Sequence, residues 1–326
     1  MLLLYVIDAG QRLAERLSGL IRTTAERAAQ WAELVFPLHT HQQFAAPGSA
    51  GFWLLRYGLA WRRLLDRLGF ELSQWRRWCP LGSAAVAGSS IPIDRHIQAR
   101  ELGFEEPSPN ALYSTSARDE CLEFVGLAAQ VALHDQSLAT DLIVFAQTPL
   151  AWLKVPDGFA TGSSMMPNKR NPDALELLRG EAASVVAAQF ELLTLLKGLP
   201  SGYNRDLQCV KPPLRRAAET ILQLTGLVDA FLQAADFDRK RLTAAARLGH
   251  IGATLEMERH VRAGRPLRQA HHAVADQLRS VPDPATPAID RPLELYATFG
   301  SANPADVRRA ARSLASDLPV FGRASH

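Results

Sequence analysis

The sequence predicts an all-α protein, with a bundle of long helices over 1–235 and a smaller C-terminal helical domain over 236–326. Three observations lead there. Apolar residues recur at three- and four-residue steps through 117–147, 172–197 and 212–234, the spacing of a helix face. These stretches are about twice the length of an average helix, and their apolar residues spread around much of the circumference, as in Leu192-Leu193-Thr194-Leu195-Leu196. A helix wetted along one side has no use for such a spread, so burial on several sides is expected, in a bundle or between subunits. Period-two alternation, the mark of a half-buried strand, is essentially missing.

Taken in order, the first helix is expected from residue 2, with Val6, Leu13, Leu17, Leu20, Thr24, Trp31 and Val35 on one helical period. No Ser, Thr, Asp or Asn precedes it as an N-cap, so the sequence reads as if it starts inside a helix that an upstream segment would begin. Residues 37–47 read as a loop or short extended stretch, and 49–68 as a second helix. The run 80–92 is rich in Gly, Ser and Ala, which suits close backbone approach. The three long stretches follow, separated by loops rich in Gly, Pro, Ser and Asn. After Pro282 the sequence is Pro-rich, and a shorter helix is expected over 303–316.

With 47% hydrophobic residues the chain has ample material for a core. The formal charge of +3 is spread thinly, and the short pairs Arg62-Arg63, Arg76-Arg77 and Arg215-Arg216 read as solvated helix faces, which argues against a nucleic-acid partner. Cys79, Cys121 and Cys209 lie far apart without a CxxC, the pattern of a reducing compartment rather than a disulfide framework. The apolar opening of residues 1–7 has no basic flank and ends at Asp8, too soon for a signal peptide or a membrane span. A cytoplasmic protein without membrane association is expected.

Chemistry concentrates in 157–172, where Gly158, Gly162, Ser163, Ser164, Pro167, Lys169 and Arg170 precede a long helix. On composition this is either a flexible inter-helix loop or an anion-binding lid. In the second case the N–H groups around Gly162-Ser163-Ser164, the Lys169 charge and the next helix dipole would face a carboxylate. Composition leaves both open. The string Gly162-Ser163-Ser164-Met165-Met166-Pro167-Asn168-Lys169-Arg170-Asn171-Pro172 resembles the fumarase/aspartase superfamily signature G-S-S-x-M-P-x-K-x-N-P at every fixed position. The following Asp173-Ala174-Leu175-Glu176-Leu177-Leu178-Arg179 is similar to its argininosuccinate lyase version. So are Leu199-Pro200 with Tyr203, Asp206, Gln208 and Lys211, the run Thr40-His41-Gln42-Gln43, Pro80-Leu81-Gly82-Ser83 with Asp94-Arg95, and Gly300-Ser301-Ala302-Asn303-Pro304. The resemblance covers nearly the whole chain.

The resemblance implies the superfamily's long central helix bundle and a C–N lyase of arginine biosynthesis that splits argininosuccinate into arginine and fumarate without metal or organic cofactor. It implies Ser163 as the base, and Lys169 and Asn171 as stabilisers of the carbanion. His41, paired with Glu176, would be the acid or its relay. Thr40, Ser164, Tyr203, Gln208 and Lys211 would bind substrate. A homotetramer with active sites shared between subunits is implied as well. Taken one by one, His41 would otherwise be a surface histidine, Glu176 a helix-surface carboxylate favoured by the dipole, and Tyr203 a half-buried loop aromatic. His39, His271 and His272 are left in that bland class.

Some of the family pattern is missing. Its N-terminal domain with an S-x-R-N-D motif has no counterpart, since Asn204-Arg205-Asp206 belongs to the later block. Cys209-Val210 and Pro212-Pro213 stand where acidic residues often flank the lysine, and Gln136-Ser137 replaces a Ser-Arg. Two alternatives therefore stay open: a non-catalytic homologue acting as a helical assembly partner, and a lyase for another succinyl-amine adduct.

Overall fold

The computed structural model describes residues 1–280 and 291–319. Helix α1 (Leu2–Gln30) leads into a hairpin of β1 (Val35–Thr40) and β2 (Gln43–Ser49), and α2 (Ala50–Trp75) returns along α1. A connecting region holds β3 (Trp78–Cys79), α3 (Arg95–Glu101), β4 (Glu106–Pro107) and α4 (Ala111–Ser116). Helix α5 (Asp119–Ala146) is followed by β5 (Leu153–Lys154), β6 (Thr161–Gly162) and β7 (Arg170–Asn171), then α6 (Asp173–Leu196) and α7 (Lys211–Ala234). After β8 (Asp236–Phe237) come α8 (Arg239–Ala245), α9 (Ala253–Arg262), α10 (Leu267–Ser280) and α11 (Pro304–Ala315). The architecture is the expected helix bundle. The Pro-rich stretch expected after Pro282 falls mainly on 281–290, outside the described residues.

One expectation needed correction, and the extended reading of 37–47 became more specific. The second helix runs past Leu68 to Trp75, because Leu72 and Trp75 are buried and the Trp75 indole donates to Glu123 Oε2 at 2.7 Å. The stretch 37–47 is an antiparallel hairpin, with Val35 opposite Ser49 and Thr40 opposite Gln43. Ser49 ends that hairpin and caps α2, its hydroxyl accepting the Phe52 N–H at 3.0 Å. Helix α1 has no side-chain cap at Met1. Among the described residues no helix is long and apolar enough to cross a membrane.

Helices α1, α2, α5, α6 and α7 are 29, 26, 28, 24 and 24 residues long. At 1.5 Å per residue they span roughly 36–44 Å, so their connections fall at the two ends of the bundle. One end gathers the hairpin, β5 and β8. There Arg27 Nε donates to the last-turn carbonyl of Leu232 at 2.9 Å, and Trp31 meets Phe237 at 5.0 Å between ring centres. Gly51 lets α2 cross the end of α1, since a Cβ there would lie 2.2 Å from the Ala28 carbonyl oxygen. The other end carries 76–118 and 197–210. Helix α11 packs back against α1 and α2.

The middle of the bundle holds Asp135, fully buried on α5. Its carboxyl accepts the Trp61 indole N–H at 2.9 Å and the Thr225 hydroxyl at 3.3 Å, tying α2, α5 and α7 together. Neither donor is charged, and burial disfavours the ionised form, so the Asp135 pKa is pushed up to about 7. A carboxyl raised in the folded state binds a proton that the unfolded chain has already lost. Stability is therefore expected to fall as pH rises from about 4 to about 7. Asp135→Asn, which keeps an acceptor for Trp61, should flatten that dependence in thermal melts taken across this range. A melt profile as steep as that of the unaltered chain would refute it.

Candidate functional site

The loop expected to carry the chemistry stands on a short stem. Strands β6 and β7 pair antiparallel, Thr161 opposite Asn171 and Gly162 opposite Arg170, directly before α6. Two polar latches tighten this stem. The Thr161 hydroxyl donates to the Asp173 carboxylate, and Arg170 Nη2 donates to the Val155 carbonyl at 3.2 Å and to Asp157. Asp173 and Glu176 occupy the first turn of α6, where the helix dipole favours negative charge.

At the head of the loop, Ser163 Oγ accepts the backbone N–H groups of Met165 at 3.3 Å and Met166 at 3.0 Å. The Lys169 N–H bonds the Met166 carbonyl at 3.0 Å, which curls the loop. Two amide dipoles converging on one hydroxyl favour its anionic form. Ser163 and Asn171 are half-buried, while Ser164, Lys169 and Glu176 are exposed. Among the described residues Lys169 makes no ion pair, so its charge is available to an incoming carboxylate.

Thr40 and His41 sit at the tip of the hairpin. His41 and Gln42 have φ of +52° and +62°, so both central residues of this two-residue turn are left-handed. That backbone matches strand twist and is normally supplied by Asn or Gly. Side-chain-bearing residues pay about 1–2 kcal/mol each to adopt it. Behind the tip lies a cavity of about 910 Å³, bordered by His39, Thr40, His41, Trp53, Arg56 and Asp141. Partial burial pushes the His39 pKa down, so this ring is neutral at pH 7.

A third group forms a hydrogen-bonded row. The Gln208 amide donates to the Tyr203 hydroxyl, and Lys211 Nζ donates to Gln208 Oε1 at 2.6 Å. All three are exposed: Tyr203 lies in the loop before the 3-10 turn, Gln208 on that turn and Lys211 at the start of α7.

Within one chain these three groups are not assembled. The loop and the hairpin share an end of the bundle, yet among the described residues no hydrogen bond or ion pair joins Thr40 or His41 to 161–176. Glu176 is thus not brought to His41. The Tyr203 row lies at the opposite end, beyond the full 24 residues of α6, or roughly 36 Å. Among the described residues no group of three or more His, Cys, Asp and Glu side chains gathers to hold a metal. Sequence reasoning missed the latch residues Asp157, Thr161 and Asp173, and Arg170 as a latch. The available signal was an acid and a base flanking a Gly/Ser-rich loop.

Comparison with known proteins follows the same lines. The sequence model of a family described as lyase matches residues 1–187. The argininosuccinate lyase of Koribacter versatilis is 33% identical over 99% of this chain and 75% of its own length. That of Halorhodospira halophila is 38% identical over 93% of this chain and 65% of its own. Argininosuccinate lyase 1 of Mesorhizobium japonicum is 35% identical, with shares of 95% and 72%. Among solved structures, EDDS lyase in complex with formate aligns with a TM-score of 0.87 at 20% identity, covering 97% of this chain and 69% of that one. The class II fumarase of Schistosoma mansoni aligns with a TM-score of 0.68 at 17% identity, covering 85% and 66%. These structural likenesses speak for the fold.

The latch has its own test. The Arg170–Asp157 pair is exposed, so Asp157→Ala should leave the thermal midpoint nearly unchanged. It should nevertheless loosen the stem and speed tryptic cleavage after Lys169. An unchanged cleavage rate would show that the pair does not hold the loop.

Proposed function

The chain belongs to the argininosuccinate lyase family of lyases, and from that premise we propose that it splits argininosuccinate into arginine and fumarate by β-elimination. The observation that carries this reading is the Ser163 hydroxyl, held by two backbone N–H groups at the head of a latched, Lys169-bearing loop. Ser163 takes a proton from the carbon next to a substrate carboxylate. The electron pair left behind spreads into that carboxylate, and Lys169 and Asn171 hold the extra charge. The pair then forms the carbon–carbon double bond of fumarate as the bond from carbon to the guanidino nitrogen breaks. His41, assisted by Glu176 of a second copy of the chain, gives a proton to the departing nitrogen. Thr40, Ser164, Tyr203, Gln208 and Lys211 bind the carboxylate and guanidino groups. The reaction belongs to arginine biosynthesis in the cytoplasm.

A second copy of the chain is part of this reading. Groups separated by the length of α6 meet only if another copy brings its opposite end alongside, as in a homotetramer with shared sites. Exposed apolar side chains on α6 support this: Leu177, Phe190 and Leu193 are 67%, 66% and 49% exposed. Large apolar side chains left open to solvent on more than one side of a long helix suit burial against other chains.

Release of fumarate from argininosuccinate, followed by its ultraviolet absorbance, is the direct test. Ser163→Ala should lower the rate by roughly 10²- to 10⁴-fold. No rate above that variant in the unaltered chain would refute the activity. Mixing Ser163→Ala with Lys211→Ala after partial dissociation should restore turnover, because some sites then combine an intact loop with an intact Tyr203 row. If both parents and the mixture stay inactive alike, the sites are not shared.

A further inference from the structure

The hairpin bearing Thr40 and His41 rests on a residue outside every motif described above. Trp152 is 2% exposed and lies under the tip. His39 and Phe44, paired across the two strands, both lean on its indole at 5.7 Å between ring centres and meet each other at 5.0 Å. On the far side Phe44 is closed in by Gly249, whose φ is +65° and where an added Cβ would lie 3.0 Å from Phe44 Cβ. The ladder register shifts between Leu38 and His39, which turns this pair toward Trp152.

The backbone delivering Trp152 is itself unusual. Ala151 is left-handed at φ +45°, and its N–H reaches the Gln147 carbonyl at 2.7 Å. The turn folds Trp152 back onto the end of α5, where its N–H bonds the Phe145 carbonyl at 2.9 Å and its carbonyl accepts the Asp238 N–H at 2.7 Å. Immediately downstream, Leu153 pairs with Phe237, and the Val155 carbonyl accepts the Arg170 latch. Side chain and backbone of one residue therefore serve two groups. The ring supports the hairpin tip, and the main chain roots the catalytic loop.

We propose that Trp152 is a positioning residue for the reaction, holding the left-handed turn at His41 and Gln42 in one geometry through His39 and Phe44. The proposal rests on the lyase reading above for the role of His41. Removing the indole frees the His39–Phe44 pair, the strained turn relaxes, and the imidazole loses its fixed aim. A misplacement of this kind acts on the chemical step more than on substrate binding.

Trp152→Leu is the first variant, Trp152→Phe keeps a flat ring, and Gly249→Ala leaves every ring in place while pressing a methyl group on Phe44. Phe237→Leu is the control, since Phe237 packs in the same aromatic core without touching His39 or Phe44. Trp152→Leu and Gly249→Ala are expected to lower kcat roughly 10- to 100-fold with a smaller rise in KM through Thr40 on the same tip, Trp152→Phe to recover most of the loss, and Phe237→Leu to leave kcat unchanged. Amide hydrogen exchange over 38–46 should accelerate by roughly tenfold or more in Trp152→Leu and Gly249→Ala but not in Phe237→Leu. The proposal is overturned if exchange in Trp152→Leu matches that in Phe237→Leu, or if the two have equal kcat. An unaltered chain that releases no fumarate refutes the lyase reading alone, and the exchange comparison then decides whether Trp152 holds the turn.

Discussion

The near-equal length of the five long helices constrains everything else. Helices that run side by side for their whole length leave no room for a connection at mid-height, so each loop that joins one of the five to the next is driven to one end or the other. The sides of the bundle are left to packing. In the interior this requirement is met by apolar rings and aliphatic side chains, with Asp135 as a polar node that needs three helices to satisfy it. A second node lies nearer the hairpin, where Asp141 accepts the Trp53 indole at 2.9 Å and the Tyr57 hydroxyl at 2.6 Å. Both carboxyls face neutral donors. They fix the relative height of the helices, since a slide of one turn would leave the buried Asp135 and the half-buried Asp141 without their donors.

Reactive groups thus collect at the ends, where backbone strain is also concentrated. The left-handed residues His41, Gln42 and Ala151 all lie at the hairpin end. That end is stiffened by rings from four separate segments: Phe36 and Phe44 from the hairpin, Phe145 from α5, Trp152 from the turn after it, and Phe237 from β8. Aromatic contacts of this kind are short-range and directional, so they specify an arrangement and do more than fill volume.

Much of this was legible in the sequence, and the remainder was hidden for identifiable reasons. The long helices announced themselves because burial on several sides demands long apolar runs. The hairpin did not read as strands, because Pro37, Pro47 and Gly48 interrupt the alternation and His41-Gln42 is not a turn dipeptide of the usual Asn-Gly sort. The end of α2 was missed because Gly69 interrupts a pattern that Leu72 and Trp75 then resume. The loop, the Thr40–His41 pair and the Tyr203 row were each recognisable as strings. Their distribution over opposite ends was not, because a string carries no direction and only the antiparallel run of α6 and α7 supplies it. For the latches the sequence offered only an acid and a base flanking the loop, and Trp152 lay beyond reach for a simpler reason: it joins residues whose partners are chosen by the fold.

The head of the loop has one more consequence, set by the chemistry of sulfur. Met165 is 86% exposed and Met166 47%, and their backbone N–H groups are the ones that meet Ser163 Oγ. Peroxide reaching either thioether would convert a soft apolar side chain into a polar, chiral sulfoxide beside the serine. The openness that lets a substrate approach this loop therefore also makes it an early target of oxidative damage. A methionine sulfoxide reductase could reverse such damage without resynthesis of the chain.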